Sequence, residues 1–353
     1  MPKGFVSEYI NLDRKSYNAL KQKLYRKLAK CSERSIGVVC SGGGGVEAGA
    51  IMAGIRPSWG IDVNPTNRTK FNLSQMCSDY NELNHGNHVI RRSLLDIDIS
   101  KLEETDIIWA SLPCDRFTSM NKVHGKTESD LDTSLSNKLI LIIARLNPQI
   151  VCLENVPGWA NSEGFQRIVN YLTYKDYNVD YRNYNFSHYG VPQRRFRLIV
   201  RACRENIQKS RIPRLVSTGW YDSIKELIPQ FQVGEVNPKV SNYLDIQMVD
   251  KTRFILVENI FNLNRCLYSD EDSICWTIRA TSGVDHKGSS RNRIIAVWNP
   301  HISQYQFLNS RAIARLSGFP DWYYVPEKVG YANYIFGLSV PPFFVSKVLS
   351  SFT

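Results

Sequence analysis

The chain has 353 residues, 43% of them hydrophobic and 22% charged, and Lys plus Arg outnumber Asp plus Glu by 44 to 33. These values exclude a collagen-like, coiled-coil or disordered polymer, and the length suggests one large domain joined to a smaller one. The longest strongly apolar run, LILIIA at 139–144, is too short to span a bilayer, and a pI of about 9.2 suits a polyanionic partner such as nucleic acid.

The first 34 residues carry nine Lys/Arg against three Asp/Glu. Within them, Tyr17, Leu20, Leu24, Leu28 and Cys31 recur at helical spacing with basic residues between. Two readings stand: a basic arm that touches phosphates, or a packed helix with a solvated face. The opening MPKGFVSEYINLDRK lacks the apolar stretch of a signal peptide, so a cytoplasmic, membrane-free protein is expected. Eight cysteines, at 31, 40, 77, 114, 152, 203, 266 and 275, form no CxxC pair and lie near no His cluster. No metal site is expected, and the thiols should be reduced.

From residue 35 strands and helices alternate. SIGVVCS (35–41) reads as a buried strand, followed by a glycine cluster, a helix VEAGAIMAGI (46–55) and a second strand RPSWGIDV (56–63). TDIIWASL (105–112), the helix SLSNKLILIIARL (134–146), QIVCLEN (149–155) and FRLIVRA (196–202) continue the pattern. Such alternation predicts a mainly parallel, doubly wound α/β sheet covered on both faces. Between about 203 and 300 no period is clear, which predicts a smaller, irregular domain. RAIARLSGF (311–319) and PPFFVSKVLSS (341–351) then resume the earlier style.

Four segments carry candidate chemistry. In CSGGGGVEAG (40–49), glycines at a strand end open a helix, so backbone N–H groups can approach a ligand. Asp62 ends the next strand, where a carboxylate can accept ribose hydroxyls. Glu47 occupies the place of the third glycine of the strict dinucleotide motif, so a purely structural turn remains open. Nor does the motif separate a nicotinamide cofactor from S-adenosylmethionine. SLPCDRFTSMNKVHGK (111–126) sets Pro113 and Cys114 at a strand's C-terminal end, before a polar loop able to close over a substrate. VCLENVPGW (151–159) brings Glu154 to another strand end, where a carboxylate either caps a turn or serves a reaction. HYGVPQRRFRLIV (188–200) places Arg195 and Arg197 on one face if the strand begins there.

Taken in order, the glycine loop, Pro-Cys, Glu-Asn-Val, Gln-Arg-Arg-x-Arg, RLSGFP (315–320) and GLSVPP (337–342) resemble the motif series of the DNA (cytosine-5) methyltransferase family. The resemblance spans about residues 35–200 and 305–353. It implies a Rossmann-like S-adenosylmethionine-dependent methyltransferase domain with a target-recognition domain. The implied layout is a basic N-terminal extension (1–34), a catalytic and cofactor-binding domain (35–202), a recognition domain (203–300) and a segment completing the catalytic domain (301–353). The implied reaction is methylation of carbon 5 of a flipped-out cytosine in double-stranded DNA through a covalent cysteine adduct, for restriction-modification or as an orphan methylase.

By the same resemblance the nucleophile is Cys114, the acid that contacts the base is Glu154, and Arg195 and Arg197 fix the base and the loop. Ser41, Gly42, Gly44, Asp62, Val63, Ser93, Pro113, Leu338 and Ser339 map to the S-adenosylmethionine site. Departures from the pattern are Cys40 for a phenylalanine, Asp115 and Thr118 for a glutamine and a serine, Ser93 for an adenine-binding aspartate with Asp96 nearby, and Leu338 for a polar residue. CWTIRATSG (275–283) resembles the recognition segment of such enzymes. A monomer is expected, with any restriction endonuclease acting separately. An RNA cytosine methyltransferase and a non-catalytic DNA-binding relative are the alternatives, with a nicotinamide dehydrogenase behind them.

Overall fold

A computed structural model of the chain describes residues 4–7, 9–62, 73–86, 88–113, 117, 128–258, 266–280 and 295–352. Cys114, Val63 and the 281–283 end of the expected recognition segment lie outside these residues. A small antiparallel hairpin, β1 (Gly4–Val6) and β2 (Asn11–Asp13), leads into α1 (Arg14–Leu28). Asp13 caps that helix, its carboxylate accepting the Ser16 N–H at 2.8 Å. Leu24 is buried, Tyr17 and Leu20 pack against the core, and Arg14, Lys15, Lys23, Arg26 and Lys30 point to solvent. The basic segment is a docked helix with a wet cationic face.

The main sheet is built from β3 (Ser35–Val39), β4 (Arg56–Asp62), β5 (His88–Arg91), β6 (Ile107–Ala110), β7 (Ile150–Asn155), β8 (Asn178–Asn185) and β9 (Phe196–Cys203). Their spatial order is β5-β4-β3-β6-β7-β9-β8. The five strands from β5 to β7 run parallel, and β9 is antiparallel to both its neighbours. Buried on both faces, β6 and β7 have the near-continuous apolar sequences that parallel strands require. Helices α2 (Gly45–Met52) and α3 (Leu73–His85) follow β3 and β4, while α4 (Asp130–Leu146) and α5 (Glu163–Tyr174) lie around β7. Ser129 and Asp132 form a capping box at the start of α4, and Asn147 ends it at φ 45°.

The region after β9 contains more order than its sequence suggested. After α6 (Gly219–Ile224) come β10 (Gln232–Gly234), α7 (Pro238–Ile246), β11 (Ile255–Glu258), β12 (Tyr268–Asp270), β13 (Ile295–Asn299) and β14 (Gln304–Phe307). These strands make an antiparallel sheet of order β10-β14-β13-β11-β12, and one of them, β14, lies beyond residue 300. Three-to-five-residue strands show too little alternation to be read from sequence. The chain then returns through α8 (Ser310–Leu316), α9 (Val329–Leu338) and α10 (Pro342–Leu349).

Packing explains this return. One face of the main sheet is covered by α2 and α10, through Val38, Ile107, Ile199, Phe344 and Val345. The other is covered by α4 and α5, through Ile108, Val151, Leu139, Phe165 and Ile168. A third cluster joins Met76 and Tyr80 of α3 to Trp220, Leu256, Val297, Ile313 and Phe336, so the small sheet shares a core with helices that flank the large one. Among the described residues no helix is long and apolar enough to cross a membrane.

Candidate active site

Because β3, β4, β6 and β7 are parallel, their C-terminal ends Val39, Asp62, Ala110 and Asn155 share one edge of the sheet. Strand order runs outward from β3 in both directions, and the helices that follow β3 and β6, α2 and α4, cover opposite faces, which leaves a crevice between the two strand ends. The glycine loop, Pro113, Glu154 and the start of β9 fall on this edge.

The glycine loop lies at its centre. Cys40, Gly42 and Gly44 have φ of 59°, 51° and 81°, and the Ser41 N–H donates to the Ile61 carbonyl at 2.9 Å. A Cβ on Gly42 would meet nothing within 4 Å, so the outer surface of the loop is open. On its inner surface a Cβ on Gly44 would sit 2.4 Å from the His85 ring. The Asn81 amide donates to Gly42 O at 3.3 Å and Glu47 Oε1 at 2.9 Å, and the Tyr323 hydroxyl donates to Gly43 O at 2.6 Å. Burial pushes the Glu47 carboxyl up to about 8, and the same cause lowers His85 to about 3. Ser41 Oγ is buried with no hydrogen-bond partner.

Asp62 is half-buried at the end of β4, with Ser74 Oγ at 3.4 Å. Ser93 Oγ caps the turn Leu94–Asp96 through the Leu95 N–H at 3.3 Å, and Asp96 is exposed. Leu338 is 54% exposed at the end of α9, an apolar side chain in water. Ser339 donates its hydroxyl to the Ile335 carbonyl at 2.7 Å.

At the end of β7, Glu154 Oε1 lies 2.9 Å from Arg197 Nε, in an ion pair whose side chains are 10% and 18% exposed. Glu154 and Arg197 both flank Ile199 on the same sheet face, which is why they meet. Arg195 goes elsewhere. It is buried and donates to the carbonyls of Gly337 at 3.0 Å and Ile278 at 3.4 Å, since it precedes the first residue of β9. Its neighbours extend this joint: Gln193 donates to Leu316 O at 3.3 Å, the Arg194 N–H to Cys275 O at 2.8 Å, and Thr277 Oγ1 to Arg194 O.

Two residues that sequence reasoning passed over position the Pro-Cys segment. Asn155 Nδ2 donates to Leu112 O at 3.2 Å, and Asn155 Oδ1 accepts the Val156 N–H at 2.8 Å. Gly158 admits the Phe117 carbonyl, which would lie 2.5 Å from any Cβ there. Pro113 is exposed and Phe117 buried, so the two described neighbours of Cys114 in sequence are a solvent-facing residue and a core anchor. The signal for Asn155 was its place beside Glu154; Asn81 and His85, four apart on α3, gave none.

A parallel-rich sheet of this order, with one antiparallel strand inserted next to the last and an open glycine loop at the switch point, defines a Rossmann-like methyltransferase fold. Dnmt2 of S. pombe shares it, with a TM-score of 0.60 at 16% identity over 90% of this chain and 97% of that one. The family model for C-5 cytosine-specific DNA methylase matches residues 38–352, and the chain belongs to that family. It is 27% identical over 267 residues to the Type II methyltransferase M.AplI of Arthrospira platensis, covering 73% of this chain and 71% of the relative. It is 24% identical over 317 residues to M.MthTI of Methanothermobacter thermautotrophicus, covering 85% and 91%.

Enzymes of this family use S-adenosylmethionine, and this chain's residues fit it. The open outer face at Gly42, the unpartnered Ser41 Oγ and the half-buried Asp62 line one strand-end crevice.

Proposed function

We propose that this DNA cytosine-5 methyltransferase works through Cys114 as nucleophile, Glu154 as the base-binding acid and Arg197 as the partner that orients Glu154. Carbon 5 of cytosine is a poor nucleophile until a thiolate adds to carbon 6. In this reading the Cys114 sulfur bonds to carbon 6, and electron density moves to carbon 5 and ring nitrogen 3. Glu154 hydrogen-bonds ring nitrogen 3 and the amino group, where that density accumulates. Arg197, whose Nη1 donates to the Phe196 carbonyl, holds Glu154 in place and turns its Nη2 to the base carbonyl. When the carbon 5 proton leaves to a base, the electrons of that C–H bond restore the ring double bond and expel the Cys114 sulfur. S-adenosylmethionine supplies the electrophilic methyl group.

The 2.9 Å Glu154–Arg197 contact, next to the Asn155 bond that secures the start of the Pro-Cys segment, carries this assignment. None of the reacting atoms of cytosine is accessible in a stacked duplex, so the base must be extruded. We place the recognition surface on the small sheet and the 275–280 segment, and the cofactor on Ser41, Gly42, Gly44, Asp62, Val63, Ser93, Pro113, Leu338 and Ser339. The names of the relatives support a restriction-modification role. There a monomer would act on double-stranded DNA while an endonuclease worked as a separate protein.

Duplex DNA containing 5-fluorocytosine tests the assignment, because fluorine cannot leave as a cation. A denaturant-resistant adduct mapping to Cys114 is expected, together with loss of methyl transfer and retained DNA binding in Cys114→Ser. Full turnover by that variant overturns the nucleophile.

A further inference from the structure

The outer edge of the main sheet carries a feature that methyl transfer does not use. Between β8, the end of β9 and the crossing segment 209–214 lies a cavity of about 530 Å³. Arg182, Arg201, Lys209, Arg211 and Arg214 line it, against the single carboxylate of Asp180. Arg201 Nη2 is 2.8 Å and Lys209 Nζ 3.2 Å from Asp180, so one acid serves two buried cations. Arg201 Nη1 donates to Ser210 O and Ser351 Oγ, while its buried Nε has no partner. Arg182, Arg211 and Arg214 are exposed and form no ion pair among the described residues. Five like charges converging on one concavity repel one another, and a bound anion relieves that repulsion.

We propose that this cavity is a phosphate-binding site, with the guanidinium groups of Arg182, Arg211 and Arg214 as its donors and Arg201 as its floor. Planar guanidinium forks match the oxygens of an oxyanion two at a time, which disfavours a halide, and several converging cations favour the higher charge and extra oxygens of phosphate over a carboxylate. The phosphate comes either from the DNA backbone or from a free phosphorylated compound. Position favours the backbone. Arg182 and Glu154 both pair in register with Ile199 and share one sheet face, so two strand spacings, about 10 Å, separate their backbones. A B-form strand rises about 3.4 Å per nucleotide, so this is the span of roughly three nucleotides. The backbone source rests on the proposed role of Glu154; the cavity and its charge do not.

The double variant Arg182→Gln/Arg214→Gln tests the site, with Lys23→Gln/Arg26→Gln on α1 as a control that removes the same charge elsewhere. Binding of sodium pyrophosphate by titration calorimetry and of 12- and 30-base-pair duplexes by anisotropy is measured over a range of salt. For a backbone site the cavity variant should lose about tenfold in duplex affinity, regardless of sequence, with the salt slope lower by about two. Pyrophosphate binding abolished in the cavity variant, with duplex affinity intact, assigns the site to a free phosphorylated ligand. Unchanged binding of both probes overturns the proposal, as does an equal loss in the α1 control, which would make net charge alone responsible. Methyl transfer at saturating DNA should stay within about twofold of wild type. A large fall in kcat with binding intact overturns the proposal, whereas failure of the Glu154 assignment would leave these binding results standing.

Discussion

At the residue scale, the polar group beneath the glycine loop has a titration signature. Glu47 is held protonated up to about 8, well above its ordinary 4.5, so the folded state retains a proton that the unfolded chain loses. Stability therefore falls as pH rises through that window. His85, lowered from 6.5 to about 3, acts in the opposite sense: the unfolded chain takes up a proton the folded one refuses, and stability rises with pH across that range. Between about 4.5 and 6.5 the two slopes offset each other; from 6.5 to 8 Glu47 acts alone, at a limit of about 1.4 kcal/mol per pH unit. Urea unfolding at several pH values should show this alkaline decline in the wild type and its loss in Glu47→Gln.

Asn155 supports a different measurement. Removing its amide in Asn155→Ala leaves the Leu112 carbonyl without its donor and releases the start of the Pro-Cys segment. Misplacement near a reacting group by about 1 Å costs on the order of a hundredfold. Single-turnover methylation should slow by about that factor, while S-adenosylmethionine affinity measured by calorimetry stays close to wild type.

At the scale of elements, sequence and structure agree where burial dictated the pattern. SIGVV, IVCLEN and FRLIVRAC had to be strands because both their faces are covered, and α4 was legible from its apolar period and from Asn147-Pro148. Edge strand β8, NVDYRNYN, is largely wet and carried no such signal. The direct contact between α2 and α10 was equally hidden, because it depends on Gly49. A Cβ there would lie 2.5 Å from Val345 Cβ and 2.7 Å from the Pro342 carbonyl. Gly49→Ala should gain helix propensity of up to about 1 kcal/mol and still lose stability, because overpacking of about 1–3 kcal/mol outweighs it. A lower urea midpoint with unchanged m-value is the expected result.

At the scale of the molecule, the sequence suggested two lobes and the family, yet the joint between lobes was invisible. Arg195 looked like a partner of Arg197 at a spacing of two, but its guanidinium links the 275–280 segment to the end of α9. Arg195→Met would leave two carbonyls without that donor, at about 1–3 kcal/mol each. Hydrogen exchange should then speed up at 275–278 and at 335–339, while amides in β3 and β6 keep wild-type protection.

The seating of α10 against α2 also bears on synthesis. Roughly 290 residues separate the two helices, so at about 5–20 residues per second the ribosome needs some 15–60 s to deliver the second after the first. Through that interval nascent α2 lacks its covering helix, and an oily flank waits for chaperones or for neighbours on the same polysome. Slow translation would lengthen the vulnerable period, and supplying the last helix in trans as a peptide would shorten it.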